Sequence, residues 1–323
     1  MKRIYVIGAG SIGSRHLQAL KAVKRPLDIT VVDPAPGALR RAEQRFLAGR
    51  GKTRHHTRYV ATLPHEHSAI DVAIIATNAD VRRQVVEALL NRADVRYLIL
   101  EKLLFCAKPD FSAIQTLLKR RRTKAWVNCP MRLMPPYRDV KTKLTTTALS
   151  YHATGSQIAL VTTAIHYLDH IAYLTGCADY RVDTSFLNAK PVPSKRKGFL
   201  ELTGTLLFQF SNGTIGKITS YPTGNAPTMV EIATPDLYYL VREADQKTWI
   251  AEPKHNWRWL ERSAPIPFQS QITTGIVESL LAQGTCLLPT YRESAALHLP
   301  LLEAVRTFLN KHGRKKYRYY PFT

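Results

Sequence analysis

The sequence predicts an α/β protein: a doubly wound parallel sheet in an N-terminal domain, then an α+β domain with a large, mostly antiparallel, open sheet. Three observations lead to this prediction. Short apolar, β-prone runs alternate with helical patterns over residues 1–128. A proline pair then breaks the chain at 135–136. Further on, several strand-like stretches follow one another without helices between them. We therefore expect domains at 1–128 and 129–323.

Composition sets the broad class of the protein. The 323 residues are 45% apolar and 22% charged, and no apolar run is long enough for a membrane span, so we expect a cytoplasmic globular protein. The four cysteines have no metal-binding or disulfide spacing. The formal charge of +22 favours, first, a solvated basic surface and, second, attraction of an anionic small substrate. Nucleic-acid binding is the least favoured alternative, because no recognisable nucleic-acid-binding signature is present.

The first strand and helix flank a glycine-rich turn. The run "RIYVIGAG" stops at glycine, and "GAGSIGSRHLQALKAV" has apolar residues at helical spacing. Gly8 allows a tight turn, Gly10 lets backbone approach a pyrophosphate, and Gly13 lets helix and strand pack closely. With Ser11 and Ile12 at the helix start, this turn predicts a dinucleotide-binding Rossmann domain.

The second strand, "LDITVVD", ends at Asp33, 20 residues after Gly13. A carboxylate at this place can bond the ribose hydroxyls of NAD and repels the additional phosphate of NADP. Arg40 and Arg41 follow in the next predicted helix, so NADP stays open as the alternative cofactor.

Two further strands end in polar residues. "DVAIIAT" ends at Thr77 and Asn78, and "VRYLILEK" ends at Glu101 and Lys102. In a parallel sheet the carboxyl ends of the strands lie along one edge, where ligands bind. We therefore assign Thr77, Asn78 and Glu101 to cofactor binding, together with the glycine turn and Asp33.

The second half of the chain has a different organisation. A helix is predicted near Tyr137, then a short strand "TTTALSYHATGS", then a helix that closes at Gly176. The strand-like run that follows contains a hairpin turn at "SNG", residues 211–213. Two helical stretches end the chain, and the last is placed to pack back toward the first domain.

The stretch "TTAIHYLDH" places His166, Asp169 and His170 within one helix turn of each other. This spacing allows a metal site, a substrate-facing helix or an ordinary core helix, and spacing alone does not choose among them. No further ligand cluster accompanies it, and His65 and His67 in "PHEHSAI" are best explained as a solvated loop. We therefore predict no metal site, and His170 is best explained as a packed helix residue.

Several motifs together resemble the Gfo/Idh/MocA oxidoreductase family over nearly the whole chain. They are "GAGSIGSRH", "EKL" at 101–103, "MRLMPPY" at 131–137, "HYLD" at 166–169 and "LPTYRESAALHLPLLEAV". The resemblance implies that Lys102 and His166 line the active site and that Asp169 helps to bind substrate. The sequence departs from the family at Leu103, where a proline is usual, and at Thr162, where a carboxylate is usual.

The resemblance implies an NAD(P)-dependent oxidoreductase that moves a hydride between nicotinamide and a hydroxyl or carbonyl carbon of a sugar-type substrate. Lys102 is the first choice as acid/base, with His166 bonding the same hydroxyl. Arg132 and Thr162 join Asp169 as candidates on the substrate side, and the alternative for Arg132 is a surface or interface salt bridge. If Arg132 meets the substrate, it favours an anionic substrate together with the basic charge. The alternative is a catalytically altered or inactive dinucleotide-binding regulatory protein. A homodimer or homotetramer through the C-terminal sheet is expected.

Overall fold

The computed structural model describes residues 1–49, 54–64 and 68–323, so the predicted loop at His65 and His67 lies outside the described residues. The chain divides into two compact units. The first comprises Met1–Asn128 and Pro267–Arg292, and the second comprises Cys129–Ile266 and Glu293–Thr323. Within the described ranges, no helix is long and apolar enough to cross a membrane.

The first unit is built on a parallel sheet of six strands in the order β3-β2-β1-β4-β5-β6. This is the strand order of a doubly wound dinucleotide-binding fold, so the predicted fold is confirmed. The elements are β1 (Lys2–Ile7), α1 (Ser11–Leu20), β2 (Leu27–Val32), α2 (Pro36–Ala48), β3 (His56–Val60), β4 (Ser68–Ile75), α3 (Ala79–Arg92), β5 (Ala93–Leu100), α4 (Lys108–Arg120) and β6 (Lys124–Val127).

The central strands of this sheet are buried on both faces. The last four residues of β1, β4 and β5 are all buried, which explains why these strands are continuous apolar runs in the sequence. Strands β3 and β6 close the two edges and were not predicted, because each is short and carries charged residues. The order reverses between β1 and β4, so the carboxyl ends of β1, β2, β4 and β5 surround the crevice where such sheets bind ligands.

The second unit contains an eight-stranded sheet in the order β16-β15-β14-β13-β7-β12-β11-β8. All neighbours are antiparallel except β7 and β12, which confirms a mostly antiparallel sheet. Its elements are α5 (Pro135–Lys143), β7 (Ser150–Ser156), α6 (Leu160–Thr175), β8 (Tyr180–Asp183), β9 (Val192–Pro193), β10 (Leu200–Glu201), β11 (Gly204–Phe210), β12 (Ile215–Tyr221), β13 (Met229–Thr234), β14 (Leu237–Arg242), β15 (Lys247–Ala251) and β16 (Leu260–Ser263).

One face of this sheet forms the core of the second unit. Alternate residues such as Tyr151, Ile218 and Tyr239 are almost fully buried, and helices α5 and α6 pack on the sheet. Residues at the intervening strand positions, such as Lys217 and Glu231, point to the other face of the sheet and are exposed. The "SNG" stretch joins the antiparallel pair β11 and β12 as predicted.

Two helices follow β16: α7 (Gln269–Gln283) and α8 (Tyr291–His312). Helix α7 belongs to the first unit and packs against α1, where the Thr274 hydroxyl donates to the Ala19 carbonyl at 2.7 Å. The boundary expected after residue 128 coincides with the division between the units. The expectation of one continuous second domain differs from the structure, since residues 267–292 return to the first unit.

Candidate functional site

The glycine turn between β1 and α1 has the geometry that the sequence indicates. Gly8 has a φ of +91°, and a Cβ at Gly13 would lie 1.7 Å from the Gly8 carbonyl oxygen. Only glycine therefore allows this approach of helix to strand. In contrast, a Cβ at Gly10 would meet no atom within 4 Å, so the turn is open on that side. Ser11 and Ile12 begin α1, where first-turn amides have no partner inside the helix and can bind an anion.

Asp33 lies directly after β2, and two backbone amides fix its carboxylate. The Ala9 amide donates to one oxygen at 2.7 Å, and the Ala35 amide donates to the other at 2.8 Å. The carboxylate therefore has one defined position beside the glycine turn. A cavity of about 740 Å³ opens there, and five of the predicted cofactor residues line it: Gly8, Gly10, Asp33, Thr77 and Asn78.

The cavity lining suits a dinucleotide. The Thr77 hydroxyl is buried and has no hydrogen-bond partner among the described residues, so it is available to a polar group of a ligand. Leu63, Val81 and Val85 supply an apolar wall. An apolar cavity with a few placed polar groups and an open, amide-rich turn fits the adenosine and pyrophosphate parts of NAD.

Cations also lie near this turn. Arg45, at the end of α2, donates to the Ser14 hydroxyl at 2.5 Å and lies 3.5 Å from the Ser11 carbonyl oxygen. The sequence pattern does not indicate Arg45, because 31 residues separate Arg45 from Ser14 along the chain. The guanidinium groups of Arg40 and Arg41 fold back toward Gly37 in the first turn of α2. That is the arginine pair on which the NADP alternative depends.

Glu101 is held inside the first unit by a buried polar network. Its carboxylate lies 2.9 Å from His16 Nε2 and accepts from the Asn128 amide at 2.6 Å, and His16 Nδ1 lies 2.8 Å from the Thr273 hydroxyl. Burial raises the pKa of this carboxyl, but His16, Asn128 and the nearby Lys102 oppose burial and lower the pKa to about 2. Glu101 does not line the cavity; its contacts with His16 and Asn128 hold in place the residue that directly precedes Lys102.

Lys102 is partly exposed and follows this anchored carboxylate. The peptide bond between Lys102 and Leu103, at the position where the family usually has proline, is cis. The buried Arg82 donates to the carbonyls of Leu103 and Leu104 just beyond it. Neither His16 nor Arg82 was predicted as a site residue, although "GSRH" places His16 on the inner face of α1.

In the second unit, α6 carries His166 and Asp169. Asp169 is 1% exposed and receives a bidentate ion pair from Arg132, with donor–acceptor distances of 2.6 and 2.9 Å. Burial raises the pKa of Asp169 to about 7, and Arg132 opposes this rise. Two of the three residues that the sequence assigned to the substrate side, Arg132 and Asp169, are therefore paired with each other. His166 is half-buried and keeps a solvent-accessible surface.

Thr162 lies one turn before His166, and a distant glutamate contacts it. The Thr162 hydroxyl donates to Glu201 Oε1 at 2.5 Å, and the amides of Val161 and Thr162 donate to the same carboxylate. Glu201 is 4% exposed. The carboxylate of Glu201, on β10, therefore contacts Thr162, the position where the family usually has a carboxylate of its own. No sequence signal could have identified this pair, because 39 residues separate them.

His170 is a packed residue of α6, as the sequence favoured. It is fully buried, with its two ring nitrogens 3.0 Å from the Tyr151 hydroxyl and from the Tyr137 carbonyl oxygen. Burial lowers the pKa of His170 to about 3, so the ring is neutral at neutral pH. Over residues 1–49, 54–64 and 68–323, no three His, Cys, Asp or Glu side chains form a group that could hold a metal ion.

Comparison with known proteins finds a family match in the N-terminal part of the chain. Residues 2–129 match the model of the Gfo/Idh/MocA oxidoreductase family, described as NAD-binding Rossmann fold. The resemblance inferred from the motifs is therefore confirmed over residues 2–129, which match the NAD-binding domain of this oxidoreductase family. No curated protein sequence matches the chain significantly.

Solved structures are similar over almost the whole chain. The UDP-N-acetylglucosamine 3-dehydrogenase of Acidithiobacillus ferrooxidans is 17% identical, with a TM-score of 0.70, and the match covers 95% of this chain and 99% of that one. An Agrobacterium radiobacter oxidoreductase in complex with NAD+, L-tartaric acid and magnesium is 17% identical, with a TM-score of 0.73 and coverages of 96% and 97%. A putative myo-inositol dehydrogenase of Sinorhizobium meliloti is 15% identical, with a TM-score of 0.67 and coverages of 96% and 98%. At these identities the similarity establishes the fold.

Proposed function

We propose that the protein is an NAD-dependent oxidoreductase that transfers a hydride between nicotinamide and a hydroxyl or carbonyl carbon of a sugar or sugar derivative. One observation carries the proposal: Asp33 and the open glycine turn border a cavity whose lining fits a dinucleotide, within the residues that match an NAD-binding family. The fixed carboxylate of Asp33 favours NAD, because it can bond ribose hydroxyls and repels a phosphate at that position.

The nicotinamide supplies the hydride chemistry when it is bound. In the oxidation direction, Lys102 takes the proton of the substrate hydroxyl, and in reduction it returns that proton. His166 hydrogen-bonds the same hydroxyl, so that the oxygen is oriented while its proton moves. Asp169 and Arg132 act on the substrate side by fixing α6, because their charges already satisfy each other.

The substrate is proposed to be anionic, such as a nucleotide sugar or a sugar carboxylate. The net charge of +22 attracts anions to the surface and raises their local concentration. Sugar-type substrates are also named for structurally similar proteins, among them UDP-N-acetylglucosamine 3-dehydrogenase and myo-inositol dehydrogenase.

Titration of the purified protein with NAD+ and NADP+ tests the cofactor assignment. NAD+ binding is expected, with NADP+ weaker by at least about tenfold, which corresponds to about 1.4 kcal/mol. Turnover is then measured on UDP-N-acetylglucosamine, on a sugar carboxylate and on uncharged myo-inositol. We expect Lys102→Ala to lower kcat by at least about 100-fold, and the exposed Lys108→Ala to leave it unchanged. Absence of nucleotide binding would refute the oxidoreductase proposal.

A second candidate is a dinucleotide-binding regulatory protein without turnover. Thr162 favours it, because the usual carboxylate is missing from α6 itself and the Thr162 hydroxyl is engaged by Glu201. This candidate predicts NAD+ binding with the same preference, but no substrate turnover that depends on Lys102.

Preference for uncharged over charged sugars in the turnover assay would remove the anionic substrate from the first proposal without affecting the cofactor assignment.

A further inference from the structure

Helix α3 carries a buried arginine that the proposed reaction does not use directly. Arg82 is 1% exposed and is among the largest fully buried side chains of the chain. Burial of a guanidinium is costly unless its donors find partners. The contacts of this side chain therefore indicate what it does.

The guanidinium of Arg82 joins two neighbouring loops at the carboxyl edge of the parallel sheet. One terminal nitrogen donates to the carbonyl of Thr77, in the loop after β4. The other donates to the carbonyls of Leu103 and Leu104, in the loop after β5, with 2.8 Å to Leu104. Only an arginine has a rigid planar fork that can reach both loops at once.

These two loops carry different parts of the candidate site. Thr77 lines the dinucleotide cavity and has a buried hydroxyl without a partner among the described residues, and Leu103 follows Lys102 directly. A displacement of either loop therefore acts on the guanidinium that holds the other. The sheet alone does not provide this connection, because both segments lie beyond the strand ends.

We propose that Arg82 is a positioning residue that couples occupation of the dinucleotide cavity to the placement of Lys102; this inference rests on the proposed function of that cavity. Arg82 acts through the Thr77, Leu103 and Leu104 carbonyls. A lysine at position 82 has a single ammonium group and cannot hold both loops in the same geometry.

The first test compares Arg82→Lys with Arg83→Lys, probed with NAD+ alone. Arg83 is the adjacent residue, is partly exposed and pairs with Glu87 and Asp110 at the surface. Arg82→Lys is expected to weaken NAD+ binding on the order of 10- to 100-fold, and Arg83→Lys by less than about twofold. In Arg82→Ala, added guanidinium ion is expected to restore binding, whereas the same concentration of urea or sodium chloride is not. Unchanged NAD+ affinity in a folded Arg82→Lys protein refutes the proposal.

The second test uses the unmodified protein, so it does not depend on a variant that folds. Hydrogen exchange is measured over residues 77–82 and 103–106, with and without ADP-ribose, which lacks the nicotinamide. Coupling predicts slower exchange in both segments. Protection confined to residues 77–82 overturns the inference and leaves the proposed function intact. If ADP-ribose protects neither segment and NAD+ does not bind, the proposed function itself fails.

Discussion

Replacement of Glu101 by Gln should destabilise the protein most at neutral pH and should remove part of the acid dependence of its stability. The structure lowers the pKa of this carboxyl from 4.5 to about 2, because His16, Asn128 and Lys102 outweigh the opposing effect of burial. A carboxyl with a lowered folded-state pKa stabilises the fold above its unfolded pKa, and this stabilisation is lost as pH falls toward the folded value.

The difference of roughly 2.5 pKa units corresponds to about 3 kcal/mol of stability when the whole window is crossed. Between about pH 6 and pH 3, the part that is lost amounts to about 2 kcal/mol, since protonation of the folded state has barely begun at pH 3. Glu101→Gln keeps the shape of the side chain but has no carboxyl to titrate. The stability difference between the wild type and the variant should therefore shrink by about 2 kcal/mol over this range.

Urea unfolding at several pH values between about 3 and 6 measures this difference, with unfolding of the first unit followed by hydrogen exchange in β1 and β4. Glu87→Gln is the matched control, because Glu87 is partly exposed and belongs to a surface ion pair with Arg83. A difference between the wild type and Glu101→Gln that stays constant across this range would show that the Glu101 network does not hold a charged carboxylate.

Four further substitutions test the candidate site. Gly13→Ala forces a Cβ against the Gly8 carbonyl and should destabilise the protein by about 3 kcal/mol in thermal unfolding. Gly10→Ala should melt like the wild type but lose NAD+ binding, and equal melting temperatures for the two variants would contradict this. Arg132→Met leaves the buried Asp169 uncompensated and should cost roughly 3–5 kcal/mol in urea unfolding, and a loss below about 1 kcal/mol would mean that the pair is unimportant. Glu201→Gln should cost about 1–2 kcal/mol in urea unfolding, because an amide oxygen replaces a carboxylate that accepts from the first turn of α6; unchanged stability would contradict this.

The nucleotide part of the candidate site was largely predictable from the sequence. Apolar runs ending in glycine, Asp33 or Thr77 identify strands and their carboxyl ends, and parallel pairing brings those ends to one edge. The positive φ of Gly8 and the close approach of Gly13 to the Gly8 carbonyl are set within one turn of the backbone. Such features are local, so the residue pattern contains them.

The substrate side was harder to predict because its residues bind each other. Arg132 and Asp169 were assigned separately to the substrate, and the structure joins them in one buried ion pair. Thr162 is seen in the sequence as the loss of an acid, but Glu201 brings a carboxylate to the same helix turn. The sequence order of these residues contains no signal for either contact.

The sequence by itself determined the strand–helix alternation of the first unit, the glycine turn and the polar residues at the strand ends, because each depends on neighbouring residues along the chain. Only the tertiary structure decided that residues 267–292 return to the first unit, that His16 supports Glu101 and that Arg82 joins two loops. Those outcomes depend on which surfaces pack together after the elements have formed. A buried charge must then find its partner wherever the packing brings one, at whatever distance along the chain.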